Sequence, residues 1–155
     1  MIYSLLKLVH LLSVIVWIGG MVFSYFFLHP ATSSLDMQQR VQLMHIALGR
    51  FFRAVLVAAS LTLVTGLWMI GRVAKQTVQS GGSFQMPLDW TVMAGLGVLM
   101  VVIFFYIRFA LYKRLERAVA ASDWDAGGAA LASIRPWVGI NILLGSGIVC
   151  FALLI

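Results

Sequence analysis

The side chains of this sequence with the most chemistry to offer are His10, Lys7 one turn before it, and the methionines at 69, 93 and 100. Imidazole and thioether together form a soft donor set that favours Cu(I) over hard cations, and histidine with methionine is also an axial pair for haem iron. His10 is therefore a candidate ligand for a metal or for haem. Met93 is its candidate partner for either, and Met69 a further thioether for a metal. The competing use of such a histidine is an interhelical hydrogen bond, and that of methionine is core packing. Met100 follows Met93 by seven residues and shares its helical face, while Met86 and Cys150 lie toward the same end of the molecule.

A second group lies at the other end. Arg53 and Arg108, with Arg50, are candidates to hold an anion such as a haem propionate or a substrate carboxylate through paired hydrogen bonds, or to snorkel to lipid phosphate. They sit about 15 Å or more from His10 along the helix axes, a longer span than one haem bridges. Asn141 is suited to bonding a neighbouring helix, and Trp17 and Lys7 flank the His10 position. His29 and His45 bracket a loop containing Asp36 and offer a labile metal site. No catalytic residue is identified: there is no Ser-His-Asp arrangement, no P-loop and no GxGxxG. A single cysteine rules out an intrachain disulfide and a cysteine-cluster metal site.

These residues must be positioned by helices in lipid. Of 155 residues, 62% are hydrophobic and 10% charged, far from the balance of a water-soluble domain. That composition excludes a soluble enzyme, a disordered tail and a free nucleic-acid-binding domain. The net charge of +6 points to anionic lipid and not to nucleic acid. The apolar runs predict an all-α bundle of four transmembrane helices in one membrane domain, with spans at about 2–28, 41–70, 90–112 and 137–155. His29-Pro30 is expected to stop the first span, Asp36 or Ser34 to cap the second helix, and Gly71 to open a loop reaching Asp89. A charged helical extension follows the third span through Val119, and Ala120 to Gly128 form a linker. A short helix from Ala129 then leads through Arg135-Pro136 into the fourth span. The first apolar run is too long for the core of a signal peptide and is expected to remain as a span.

Lys and Arg set the orientation. Lys7, Arg72 and Lys75 fall on the side of both termini, and the remaining eight fall on the other. The positive-inside rule then places the 29–53 and 108–135 regions in the cytoplasm and both termini on the outer, periplasmic side. Alternating spacings of three and four put His10, Ser13, Trp17, Gly20 and Ser24 on one inward stripe. The same spacing groups Trp90, Met93, Gly97, Met100, Phe104 and Arg108 on the third helix, and Val138, Asn141, Gly145, Ile148 and Ala152 on the fourth. On the second, Arg53, Ala59, Ser60, Thr62 and Gly66 offer a rougher version.

The first span, LLKLVHLLSVIVWIGGMVFSYFFLHPA, resembles the CopD-type family of small bacterial inner-membrane proteins, as do GRFFR in the second helix and the closing RPWVGINILLGSGIV. The sharpest element is K-x-x-H…W-x-G-G, here Lys7, His10, Trp17, Gly19 and Gly20. The resemblance implies a multi-pass protein handling copper, in transport or resistance, with a periplasmic copper-binding partner or a second copy beside it. More distantly the chain is similar to the HemJ-type protoporphyrinogen oxidases, four-helix proteins with an early histidine in the first span, which implies haem b on His10. With three histidines in all, the chain cannot supply two histidines to each of two haems. A bundle that serves a larger membrane partner and holds no cofactor is the third possibility.

Overall fold

The computed structural model describes residues 1–154. The chain forms four helical rods, α1 (Ile2–Ser34), α2 (Met37–Gln79), α3 (Leu88–Ala120) and α4 (Trp124–Leu154), each long and apolar enough to cross a membrane. No strand occurs among the described residues. In hydrocarbon every backbone N–H and C=O must be satisfied within the segment, so long apolar runs resolve as helices. Large apolar side chains such as Ile15, Leu67 and Leu143 face outward, because lipid solvates them as well as a core does. Trp17, Met21, Val55, Met100, Phe104 and Ile142 are buried between the rods. The stripes on α1, α3 and α4 face inward, except that Ala152 is exposed. On α2, Ala59 is buried and Thr62 and Gly66 are half-buried as expected, but Arg53 and Ser60 are exposed, and the buried face also takes in Val55, Ala58 and Thr65.

Several helix ends differ from the sequence expectation. α1 does not stop at His29-Pro30. It widens into a π turn at Ser24–Leu28, where the His29 N–H reaches back to Ser24 O, and runs on through His29–Ala31 into a 3₁₀ turn ending at Ser34. Pro30 then sits in the first turn of the resumed helix, where its missing donor costs least. α2 starts as expected, with Gln39 N–H donating to the Asp36 carboxylate at 2.8 Å. It runs nine residues past Ile70, however, because one interior glycine costs only about 1 kcal/mol, and Gly71 has nothing to end the helix for. The actual stop is at Gly81, with φ of +85°. Gly82 N–H closes on Thr77 O at 3.0 Å and Gly81 N–H on Val78 O at 3.1 Å, the paired bonds of a Schellman cap.

The expected linker from Ala120 to Gly128 shrinks to three residues. Ser122 takes a positive φ of 53°, Asp123 N–H closes on Ala118 O at 2.9 Å, and the Asp123 carboxylate accepts from Ala126 N–H at 3.0 Å. α4 thus begins at Trp124. Gly127 lies inside it as a contact point: a Cβ there would stand 2.6 Å from Val41 Cγ1. α4 is also continuous through Pro136, as membrane helices allow when neighbouring groups absorb the freed carbonyl.

α2 contains 43 residues, about 65 Å of helix against a hydrocarbon core of about 30 Å. Its first turns bury Val41, Met44 and Leu48 in one cluster with Leu111 and Leu115 of α3 and Leu131 of α4. α2 is therefore longer than the hydrocarbon layer it crosses, and the packed core of the bundle continues along its first turns.

Candidate functional site

α1 and α2 run antiparallel, and their contact places His10. Gly20 allows the approach, since a Cβ there would overlap the ring of Phe51. Ten residues earlier on α1, His10 Nδ1 lies 3.1 Å from Thr65 Oγ1, and the ring edge rests against Gly66, whose absent Cβ would be 3.3 Å from His10 Cε1. His10 is half-buried and Thr65 buried. The interhelical hydrogen bond named as the alternative use of His10 is thus present.

Thr65 Oγ1 also reaches two carbonyls of its own helix, Leu61 O at 2.5 Å and Thr62 O at 3.3 Å. With its one proton donated there, its lone pair can accept Nδ1–H from His10. An imidazole protonated at Nδ1 carries its free lone pair on Nε2. A histidine held at one nitrogen and open at the other is the arrangement in which imidazole binds metals.

The other candidate residues are placed as follows. Met69 and Met93 are half-buried and Met86 is exposed, whereas Met100 is buried. Lys7 is exposed and does not share the half-buried setting of His10. Cys150 is exposed. Among the described residues no three of His, Cys, Asp and Glu gather to hold a metal ion; His29 and His45 in particular have different neighbours. The His45 ring stacks on Tyr112, with centroids 5.7 Å apart, whereas Arg40 Nη2 lies 3.5 Å from His29 Nε2.

In the middle of the bundle Trp17 packs edge-on against Phe104, and Asn141 Nδ2 donates to Met100 O at 3.2 Å. Trp17 Nε1 and Asn141 Oδ1 are shielded from solvent and unpaired among the described residues. At the far end Arg53 Nε donates to Gly49 O at 3.3 Å. Arg108 lies in the second π turn, Ile107–Leu111, with its guanidinium 5.1 Å from the Tyr112 ring centre and 5.5 Å from that of Phe109. Its Nε and Nη1 are shielded and have no acceptor among the described residues. Tyr112 joins the two arginines: its hydroxyl donates to His45 O at 2.9 Å and closes over Gly49.

Sequence reasoning missed Thr65 and Tyr112. Thr65 stands three residues after Thr62 and next to Gly66, so the spacing of small polar residues on α2 was the available signal. Nothing local marks Tyr112, whose partners lie 67 and 63 residues away in the chain.

A four-rod membrane bundle with a half-buried imidazole at one end and shielded guanidinium groups at the other is a class of integral membrane protein, not a soluble fold. A family model described as Copper resistance protein D matches residues 45–155. The chain belongs to this CopD family. No curated protein and no solved structure matches it. The matched stretch begins within α2 and takes in Thr65, Met69, Met93 and the arginines, but not α1. Membership establishes a copper-related membrane protein, while a role for His10 has to be argued from its surroundings.

Proposed function

We propose that the chain handles Cu(I) in the bacterial inner membrane, in transport or resistance, and that the ion is taken at His10 Nε2. The observation that supports this reading is the contact of His10 Nδ1 with Thr65 Oγ1 at 3.1 Å: with Nδ1 donating there, Nε2 keeps the lone pair that a metal takes. The thioethers of Met93 and Met69, both half-buried, are the soft donors assigned to complete the set. The ion is cargo here, so a loosely assembled site of one imidazole and thioethers suits binding followed by release. The excess of Lys and Arg at the Arg53 and Arg108 end supports a cytoplasmic location for that end. His10 then faces the periplasmic half, where a copper-binding partner or a second copy would meet it.

A second feature supports an anion at the cytoplasmic end. The shielded nitrogens of Arg108, with Arg53 reached through Gly49 and Tyr112, suit an anionic group better than a purely lipid-facing arginine does. Lys7, Trp17 and Asn141 act in this reading by positioning and polarity, not by contact with the ion. Haem b would be held by the same His10 Nε2 together with Met93, so one experiment separates the two. Detergent-purified protein is titrated with Cu(I) against a competing chelator, and its absorption spectrum is recorded beside His10→Ala. Bound Cu(I) without a Soret band, lost in the variant, is the expected result. Full Cu(I) affinity in His10→Ala overturns the assignment, and a Soret band that disappears in the variant transfers it to haem.

A further inference from the structure

A second basic cluster, separate from His10 and from Arg108, closes the junction of α1, α2 and α4. His29 lies nineteen residues after His10, about 29 Å along α1, hence at headgroup level on the opposite face of the bilayer. Arg40, in the first turns of α2, places Nη2 3.5 Å from His29 Nε2. Its Nε is shielded from solvent and has no acceptor among the described residues. From α4, Arg135 lies over the ring of Tyr25, 4.9 Å from its centre. Tyr25, His29 and Arg135 line one cavity of about 20 Å³ whose floor is Met44, Leu131 and Ile134.

Charge is uncompensated here. The ion pair found among the described residues is Lys113 with Glu116, on α3, which is not part of this junction. The nearby carboxylate of Asp36 is engaged as the cap of α2. Two guanidinium groups, Arg40 half-buried and Arg135 exposed, thus flank His29 from different helices, and the His29 ring accepts from Arg40 at Nε2. Arginine forks match tetrahedral oxyanions in geometry as well as charge, and basic pockets between helices on the cytoplasmic side are the kind that take lipid headgroups. The cavity itself is too small for a phosphate, so a bound phosphoryl group would have to lie outside it, on the side of the arginines.

We infer that Arg40, Arg135 and His29 form a binding site for a phosphoryl group, presented by a membrane phospholipid or by free phosphate, at the junction of α1, α2 and α4. The site stands independently of the copper reading. Native mass spectrometry of the detergent-extracted full chain is the test, with phosphatidylglycerol as the probe added back to delipidated protein. One retained lipid is expected in wild type. Loss of a charge-assisted contact lowers retention by about tenfold or more in Arg40→Gln and in Arg135→Gln. Arg114→Gln, an exposed arginine on α3, leaves it unchanged. Arg135→Lys, which keeps the charge and loses the fork, should fall between and guards against a folding defect. A parallel thermal-shift series with inorganic phosphate reads the other source. Stabilisation of wild type but not of the two glutamine variants, without lipid retention, assigns the site to free phosphate. Equal loss in Arg114→Gln, or no response to either probe, overturns the inference.

Discussion

The hydroxyl of Tyr112 occupies the space where Gly49 would carry a Cβ. Tyr112 donates from α3 to His45 O of α2 at 2.9 Å, and Gly49 is the residue one helical turn beyond that carbonyl. The tyrosine reaches the α2 backbone only because position 49 has no side chain. Phe52 and Arg108 pack against the same ring, at 5.3 Å and 5.1 Å from its centre, so this one approach locks α2 to α3 beside the arginines.

Gly49→Ala should therefore destabilise the bundle by about 1–3 kcal/mol, the cost of overpacking a close contact. Tyr112→Phe alone should cost only about 0.5–1.5 kcal/mol, since His45 O keeps its own helical bond. The double variant should recover part of the glycine loss, because removing the hydroxyl removes the overlap. Thermal unfolding in detergent measures the cycle, and strict additivity of the two changes would falsify the contact as the cause.

Thr65 should tune His10 without touching the ion. Thr65→Val keeps the shape and removes the acceptor, freeing the imidazole to rotate and change tautomer. Loss of such a partner typically weakens a metal site about 10- to 100-fold. Chelator competition with Cu(I) should show that drop at near-normal stability, and Thr65→Ser should restore most of the affinity. Wild-type affinity in Thr65→Val counts against the hydrogen bond as the positioning element.

Asn141 carries one satisfied and one unsatisfied polar group in the bundle interior. Met100 O retains its helical partner without it, so Asn141→Leu should leave stability unchanged or raise it by about 1 kcal/mol. A loss above about 2 kcal/mol in the same detergent unfolding assay would mean that Oδ1 has a structural partner. A stable variant with impaired copper handling would mark the amide as functional.

Orientation is open to direct labelling because the chain has one cysteine. In a Cys150→Ser background, Ser83→Cys between α2 and α3 should react with an impermeant maleimide on intact spheroplasts. Ala121→Cys between α3 and α4 should react only after lysis. The reverse pattern inverts the topology and moves His10 to the cytoplasmic half.

Much of the fold was legible in the residues because lipid imposes a simple rule. Unpaired backbone is so costly in oil that a long apolar run has one solution, and the number of rods follows from the number of runs. The helix ends were less legible. His29-Pro30 and Gly71 carry local stop signals, yet the rods pass through them, since a single proline or glycine costs less than the packing on either side contributes.

What the sequence by itself determined is the environment: four apolar rods, an all-α membrane protein, the inward stripes of α1, α3 and α4, and basic residues massed at one end. Hydrophobic periodicity and charge placement are local properties of the chain, and burial follows them directly. Only the tertiary structure decided which residues meet. Thr65 faces His10 across 55 positions, Tyr112 closes over Gly49, and Arg40 and Arg135 converge on His29 from different helices. Such pairings depend on rotation and register between rods, which are set by where a missing side chain lets two backbones approach.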